Sequence, residues 1–290
     1  MRLSHTEPDM PTPIRTTDIA VGDVNFHVSE TGQGNNPCLV FLHGSGPGAD
    51  ALSNWEAVIE ELGSDFHCVA PDIVGFGHST HPDPAPDGLR PFTDLRVSTL
   101  IGLFEQMGLD QVVLVGNSMG GLISMLIANE RPELVDRMVL MGSAGGKAPM
   151  LDGLKRLIGF YGDPTADAME GLLEGFLHDS SIFGSDLRSI AEARLPNALR
   201  PEVRRSHMAT FSGAGGRAGL SMDDYPKLTL PVLLLHGDDD QVVSIESSQW
   251  LSAQFPNARL DVFADTGHWL QIEKGPEFAA ALRQFVAEGL

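Results

Sequence analysis

Six short, almost wholly apolar runs recur along this chain: CLVFL at 38–42, HCVA at 67–70, VVLV at 112–115, RMVLM at 137–141, VLLLH at 232–236 and LDVF at 260–263. Each has the length of a strand, and the lack of polar alternation marks strands covered on both faces. Helix-like segments separate most of them, at 53–62, 93–107, 119–129, 245–254 and 276–287. That alternation predicts an α/β protein with a mostly parallel central sheet flanked by helices. Residues 15–31 alternate and break at VGD, as an edge hairpin does. The 290 residues, 42% of them hydrophobic, suffice for one large domain with a sizeable core.

The alternation stops between Gly145 and Tyr225, where LDGLKRLIGF, AMEGLLEGF and SDLRSIAEARL read as helices and no strand is evident. This segment begins after the sixth strand and ends just before the next. Ligands of open α/β sheets bind outside the carboxyl ends of the strands, so helices inserted there form a lid. The expected organisation is an N-terminal arm at 1–15, a core at 16–145 and 227–290, and a helical cap at 146–226.

Charge and cysteine content exclude several functions. Nineteen Lys and Arg stand against 39 Asp and Glu, a net charge of −20, which argues against nucleic acid or an anionic membrane as partner. Cys38 and Cys68 both fall in apolar runs and read as buried thiols of a reducing compartment. The N-terminal stretch has no apolar core, so it does not read as a secretory signal. No apolar run has membrane-spanning length. A cytoplasmic protein acting on a small molecule is expected.

The strand VVLV runs into GNSMGG and then a helix. Ser118 stands at this joint within Gly116-Asn117-Ser118-Met119-Gly120, a G-x-S-x-G motif in the strand–turn–helix setting of a nucleophile elbow. The glycines let the backbone close tightly and leave one hydroxyl standing clear. The Met119 N–H heads the helix, where negative charge is favoured. A serine needs a base, and the base an orienting acid. HGDDDQVV places Asp238, Asp239 and Asp240 after one strand, and DTGHWLQIE places His268 after the last. The order serine, acid, histidine is the one this architecture requires. The loop FLHGSGPGAD follows an earlier strand and brings the Ser45 or Gly46 N–H to the same edge as a second oxyanion donor beside Met119. No histidine–carboxylate cluster has metal-site spacing, so no metal is expected. His27, His67 and His236 fall in or beside strands, and His78, His81, His178 and His207 read as exposed or pocket-lining.

These residues resemble the α/β-hydrolase fold across nearly the whole chain after residue 15. More narrowly, HGSGPGADALSNW (43–55), APDIVGFGHS (70–79), GNSMGG (116–121), DRMVLMGSAG (136–145), HGDDDQVV (236–243) and GHWLQIE (267–273) are similar to the meta-cleavage product hydrolases. Those enzymes cut carbon–carbon bonds in ring-fission products of aromatic degradation. The resemblance implies Ser118 as nucleophile, His268 as base and Asp240 as acid, with Ser45, Gly46 and Met119 at the oxyanion. It implies Asn54, Asn117, Arg194 and Trp269 as substrate-binding residues, with Arg188 and Arg200 as alternatives for the arginine. The implied substrate is a 2-hydroxy-6-oxo-hexa-2,4-dienoate, whose carboxylate an arginine holds in a two-point fork. Apolar cap residues, among them Leu154, Leu157, Ile158, Phe160, Phe176 and Phe183, would enclose the group beyond the ketone. The resemblance further implies no cofactor and a homodimer or higher homo-oligomer. A carboxylesterase and a non-catalytic ligand receptor on the same fold are the competing readings.

Overall fold

The structure, a computed structural model, describes residues 13–288. The expected arm therefore lies outside the described residues as far as residue 12, and Arg15 already opens the first strand. Strands β1 (Arg15–Val21) and β2 (Val24–Thr31) form the edge hairpin. They are followed by β3 (Cys38–Leu42), α1 (Ala51–Leu62), β4 (His67–Pro71), α2 (Leu89–Met107), β5 (Val112–Asn117), α3 (Met119–Glu130) and β6 (Val135–Met141). Next come α4 (Asp152–Gly159), α5 (Ala166–Glu174), α6 (Asp186–Ala198) and α7 (Pro201–Thr210), with short 3-10 turns between some of them. The chain then returns through β7 (Val232–Gly237), α8 (Ile245–Ser252), β8 (Ala258–Phe263), α9 (Leu270–Glu273) and α10 (Gly275–Ala287).

The eight strands pair in the order β1-β2-β4-β3-β5-β6-β7-β8. The pairs β1–β2 and β2–β4 are antiparallel and the rest parallel. Successive side chains point to opposite faces of a strand, so the apolar runs feed two cores. Val40, Leu114, Leu140 and Leu234 pack with Phe92, Leu100 and Ile123 on one face. Phe41, Val115, Val139 and Leu235 pack with Trp55, Ile59, Phe278 and Leu282 on the other. Each such burial is worth about 1.5–3 kcal/mol. Among the described residues, no helix is long and apolar enough to cross a membrane.

Two helices begin earlier than their sequence patterns suggest. Helix α1 starts at Ala51 rather than 53 because Asp50 caps it: the Ser53 N–H donates to Asp50 Oδ1 at 2.7 Å, and Ser53 Oγ takes the Asp50 N–H. Helix α2 starts at Leu89 rather than 93 because Pro91 lies in the first turn, where no intrahelical N–H bond is required. Cys68 is buried as expected, but Cys38 opens its strand and is only half-buried. Both thiols are free, and burial pushes Cys38 up to about 12.

Helices α4–α6 share a core of their own, in which Leu157, Met169, Leu172 and Leu187 meet Val242, Val243 and Trp269 from the main body, and α7 packs on it through the ring contact of His207 with Tyr161. Backbone bonds tie the same segment to two loops at the carboxyl edge of the sheet. The Gly153 N–H donates to Gln241 O at 3.0 Å, Met150 bridges Val243, and the Trp269 N–H donates to Phe176 O at 3.0 Å.

His207 corrects one expectation. It is buried rather than exposed or pocket-lining, packed against the Tyr161 and Phe211 rings, and burial pushes it down to about 4.

Candidate active site

Because β3, β5, β6, β7 and β8 are neighbours and parallel, the loops leaving their carboxyl ends meet along one edge. The loop after β3 carries residues 43–50, the turn after β5 carries Ser118, and the loops after β7 and β8 carry Asp240 and His268.

Ser118 has φ 55° and ψ −113°, a conformation that L-residues rarely adopt and that costs about 1–3 kcal/mol. The turn is tight enough to require its glycines. A Cβ on Gly116 would stand 2.5 Å from the Gly120 carbonyl and the Gly121 nitrogen, and one on Gly120 would stand 2.0 Å from Leu42 O. The strained turn is held by bonds from the Ser118 N–H to Met141 O and from the Ala144 N–H to Ser118 O, both 3.0 Å. The Ser118 side chain caps nothing in α3.

The three consecutive aspartates have different partners. Asp238 Oδ1 accepts a long 3.4 Å bond from the Thr266 N–H. Asp239 is taken by His178 Nδ1 at 2.9 Å and the Gln241 amide at 2.6 Å. Asp240 is buried, and its Oδ2 lies 2.6 Å from Nδ1 of the buried His268. Its Oδ1 accepts the Val242 and Val243 N–H groups at 2.8 and 2.9 Å. Burial opposes the Asp240 carboxylate, but the attraction and hydrogen bond of His268, with His236 and the Val243 N–H, hold its pKa below the usual range. With Nδ1–H donating to Asp240, the other ring nitrogen of His268 is left as the acceptor.

His236 backs this pair. It is fully buried, its Nε2–H donates to Val243 O at 2.9 Å and lies 3.4 Å from Asp240 Oδ2, and Ser248 Oγ donates to its Nδ1 at 2.7 Å. Burial lowers the pKa of His236, against the opposing pull of Asp240. Sequence reasoning placed it beside a strand without a function. The signal was available, since His236 is the last residue but one of β7, four positions before Asp240.

Two spaces adjoin Ser118. The first is a polar cleft lined by Ser45, Gly46, Asn54, Asn117, Arg194, His268 and Trp269, with Leu157 and Phe176. It holds about 10 Å³, room for roughly one water. Arg194, from α6, donates its Nε–H to Pro47 O at 2.9 Å and lies 5.8 Å from the Trp269 ring centroid. Burial lowers the guanidinium to about 10, so it is charged at neutral pH. A Cβ on Gly46 would stand 2.9 Å from its Nη2. Asn54 Nδ2 donates to Asp50 O at 3.1 Å, and Asn117 Nδ2 to Met141 O at 3.2 Å. The structure brings Arg194 to the cleft and not the two alternatives. Arg188 is engaged by Asp167, Glu170 and Glu192, and Arg200 by Glu202.

The second space is an apolar chamber of about 440 Å³, also touching Ser45 and Ser118 and bounded by Met119 and Thr210. Leu122, Met150, Leu154, Ile158, Phe211 and Val243 line it, with Arg217 the one charged residue in its wall. Of the six apolar cap residues singled out from the sequence, Leu154 and Ile158 line this chamber and Leu157 and Phe176 line the cleft. Phe160 and Phe183 pack in the core of the insertion instead. Among the described residues, no group of three or more His, Cys, Asp or Glu side chains is arranged to hold a metal ion. A serine hydroxyl that shares a cleft with a histidine–carboxylate pair, at the head of a helix, can carry out nucleophilic attack on a carbonyl.

A family model described as the alpha/beta hydrolase fold matches residues 37–275, and the chain belongs to that family. Within it, the chain is similar to meta-cleavage product hydrolases. It is 34% identical over 275 residues to the 2-hydroxymuconate semialdehyde hydrolase of Pseudomonas sp. strain CF600, covering 93% of each chain. It is 33% identical over 273 residues to the 2-hydroxy-6-oxo-2,4-heptadienoate hydrolase of Pseudomonas putida strain F1, covering 93% of this chain and 95% of the relative. Among solved structures, the 2-hydroxy-6-oxo-6-phenylhexa-2,4-dienoate hydrolase of Rhodococcus sp. strain RHA1 superposes with a TM-score of 0.89 at 32% identity. That match covers 95% of this chain and 99% of the other.

Proposed function

We propose that the protein hydrolyses the carbon–carbon bond of a 2-hydroxy-6-oxo-hexa-2,4-dienoate, giving 2-hydroxypenta-2,4-dienoate and a carboxylic acid. The observation that carries this reading is the division of the site at Ser118, with a charged arginine and two amides on one side and an apolar chamber on the other. A dienoate has matching halves, a carboxylate at one end and a ketone bearing an apolar group at the other. Arg194 binds the carboxylate, with Asn54 and Asn117 at the dienolate oxygens. The cleft has room for only about one water, so binding the dienoate requires α6, which carries Arg194, to move outward. Helices α4–α7 then serve as the lid.

The reaction has two stages. The dienol first becomes its keto tautomer, moving the hydroxyl proton onto C5, the carbon that leaves. Ser118 then attacks the C6 ketone, passing its proton to His268, which Asp240 orients. The oxyanion is met by N–H groups of Met119 and of Ser45 or Gly46. The C5–C6 bond breaks, its electron pair passing through the conjugated chain to O2, which takes up the proton held by His268 as the dienoate product departs. His268, neutral again, then takes a proton from the water that releases the acid from Ser118. These side chains suffice without a metal or organic cofactor. The free thiols support a reducing, cytoplasmic setting, and the family resemblance supports a homo-oligomer.

The test is absorbance. The protein is mixed with a yellow dienoate and, separately, with a nitrophenyl ester. Rapid bleaching of the dienoate is expected; ester turnover without bleaching would replace the proposed substrate with a carboxylic ester. Within a dienoate series, the chamber of about 440 Å³ favours a 6-phenyl over a 6-methyl group. Burying the larger group is worth about 1–3 kcal/mol, so kcat/KM for the phenyl compound should be roughly 10- to 200-fold higher. Equal or reversed values would show that the chamber does not select the substrate.

Arg194 separates the dienoate reading from the ester reading within one protein. In Arg194→Ala the bound carboxylate loses a charge-assisted partner, a loss of about 2–5 kcal/mol. Dienoate kcat/KM should fall by roughly 30-fold to several thousand-fold, while a small neutral ester is hydrolysed at near the unmodified rate. A parallel fall in both would make Arg194 a structural residue.

A further inference from the structure

Arg96 is a buried cation without an anion. It lies on the inner face of α2, one turn after Phe92, and its side chain is fully enclosed. Arg137, whose side chain is also buried, sits by contrast 2.6 Å from Asp136. Arg96 directs its whole fork at neutral acceptors. Nε donates to Val74 O at 3.0 Å, Nη2 to Thr210 Oγ1 at 2.9 Å and Nη1 to Met119 Sδ at 3.4 Å. Its guanidinium carbon lies 3.9 Å from the Phe92 ring centroid and 5.0 Å from that of Phe76. Among the described residues no carboxylate pairs with it, in a chain that carries 39 acidic residues. Burial pushes the guanidinium down to about 9, which leaves it charged at neutral pH.

An unpaired buried charge is costly, and an apolar side chain of similar volume would usually fill the same space at lower cost. The location of the charge accounts for its retention. Met119, which Arg96 touches, follows Ser118 and heads α3, and Met119 and Thr210 both bound the apolar chamber. A charge enclosed by apolar rings is poorly screened, so its field extends to the neighbouring site. Here the proposed reaction develops negative charge on the substrate oxygen.

We infer that Arg96 is a positioning residue for the reaction. It is a fixed positive charge behind Met119 that favours the oxyanion formed at Ser118 and fixes the start of α3 against Thr210 of the insertion. The inference rests on the proposed role of Ser118. It does not depend on which carbonyl compound is attacked, because dienoates and esters form the same oxyanion.

The test compares Arg96→Met, Arg96→Gln and Arg96→Lys in the full chain, measuring Tm and the kcat and KM for a dienoate and for a nitrophenyl ester. The two neutral variants should keep the unmodified Tm or exceed it. Their kcat should fall about tenfold or more on every substrate the unmodified protein turns over, with KM within about threefold. Arg96→Lys, which keeps the charge, should recover most of kcat. If Arg96→Met does not fold, the contrast between Gln and Lys carries the same decision. Unchanged kcat in a neutral variant would overturn the inference, as would equal losses in all three or failure of both neutral variants to fold. Should the unmodified protein cleave only the ester, the proposed substrate fails while the ester kcat still decides the role of Arg96.

Discussion

Ser118→Ala is expected to lower turnover about 10⁴- to 10⁶-fold, the scale on which loss of a triad nucleophile is felt. The fold should survive. The hydroxyl caps no helix, alanine has the same Cβ as serine in the strained conformation, and the bonds holding the turn come from the backbone. The substrate contacts assigned to Arg194, Asn54 and Asn117 are untouched, so the variant should bind dienoate with near-normal affinity and hold it unreacted. Stopped-flow absorbance reads both properties at once, as a shift of the yellow band on binding and its failure to bleach. Bleaching at a near-normal rate would remove Ser118 from the mechanism. A non-catalytic receptor on this fold would bind its ligand equally well with either residue and show no turnover with serine.

Asp240→Asn should cost about 10⁴-fold in kcat, while Asp238→Asn and Asp239→Asn stay within a few-fold. The ranking follows from geometry, since among the three only Asp240 meets His268, at 2.6 Å. Asparagine keeps the size and can still accept the Val242 and Val243 N–H groups. It removes the negative charge that stabilises the imidazolium and can present an N–H to Nδ1, favouring the wrong tautomer. The folded pKa of Asp240 is depressed, so its stabilising interaction is fully present above the unfolded value of about 3.9 and is lost as pH falls through the folded value. Assays between about pH 5 and 9 lie above both, so Asp240 itself stays ionised across that range. A large defect in Asp239→Asn with a small one in Asp240→Asn would move the acid to the neighbouring residue.

What could be read from the sequence was whatever leaves a local mark. The apolar runs marked the strands, the glycines around Ser118 marked a turn, and the order of the loops marked their common edge. The choice of Asp240 over its two neighbours left no local mark. It depends on which carboxylate faces the loop after β8, a relation between residues 28 positions apart. Arg194 could be placed only through the family resemblance, because a helical arginine ordinarily faces water. Arg96 and His207 were missed for a related reason, although the signal was present. Arg96 lies four residues after Phe92 and four before Leu100, and His207 four after Val203 and four before Phe211. A titratable residue in the middle of such an i, i+4 apolar stripe lies on the buried face of its helix.

The backbone bonds that fasten the insertion to the loops of Asp240 and His268 bear on how a site like this can change over generations. The wall of the chamber and the Asp240–His268 pair share one framework through Gly153–Gln241, Met150–Val243 and Phe176–Trp269. Exchanging the whole segment for that of another hydrolase would replace partners of both loops and disturb turnover along with selectivity. New preferences are open instead to single replacements at Leu154, Ile158 and Phe211, whose side chains face the chamber and whose backbones make none of these three ties. Replacements of these side chains leave the three tethers, and with them the placing of Asp240 and His268, intact.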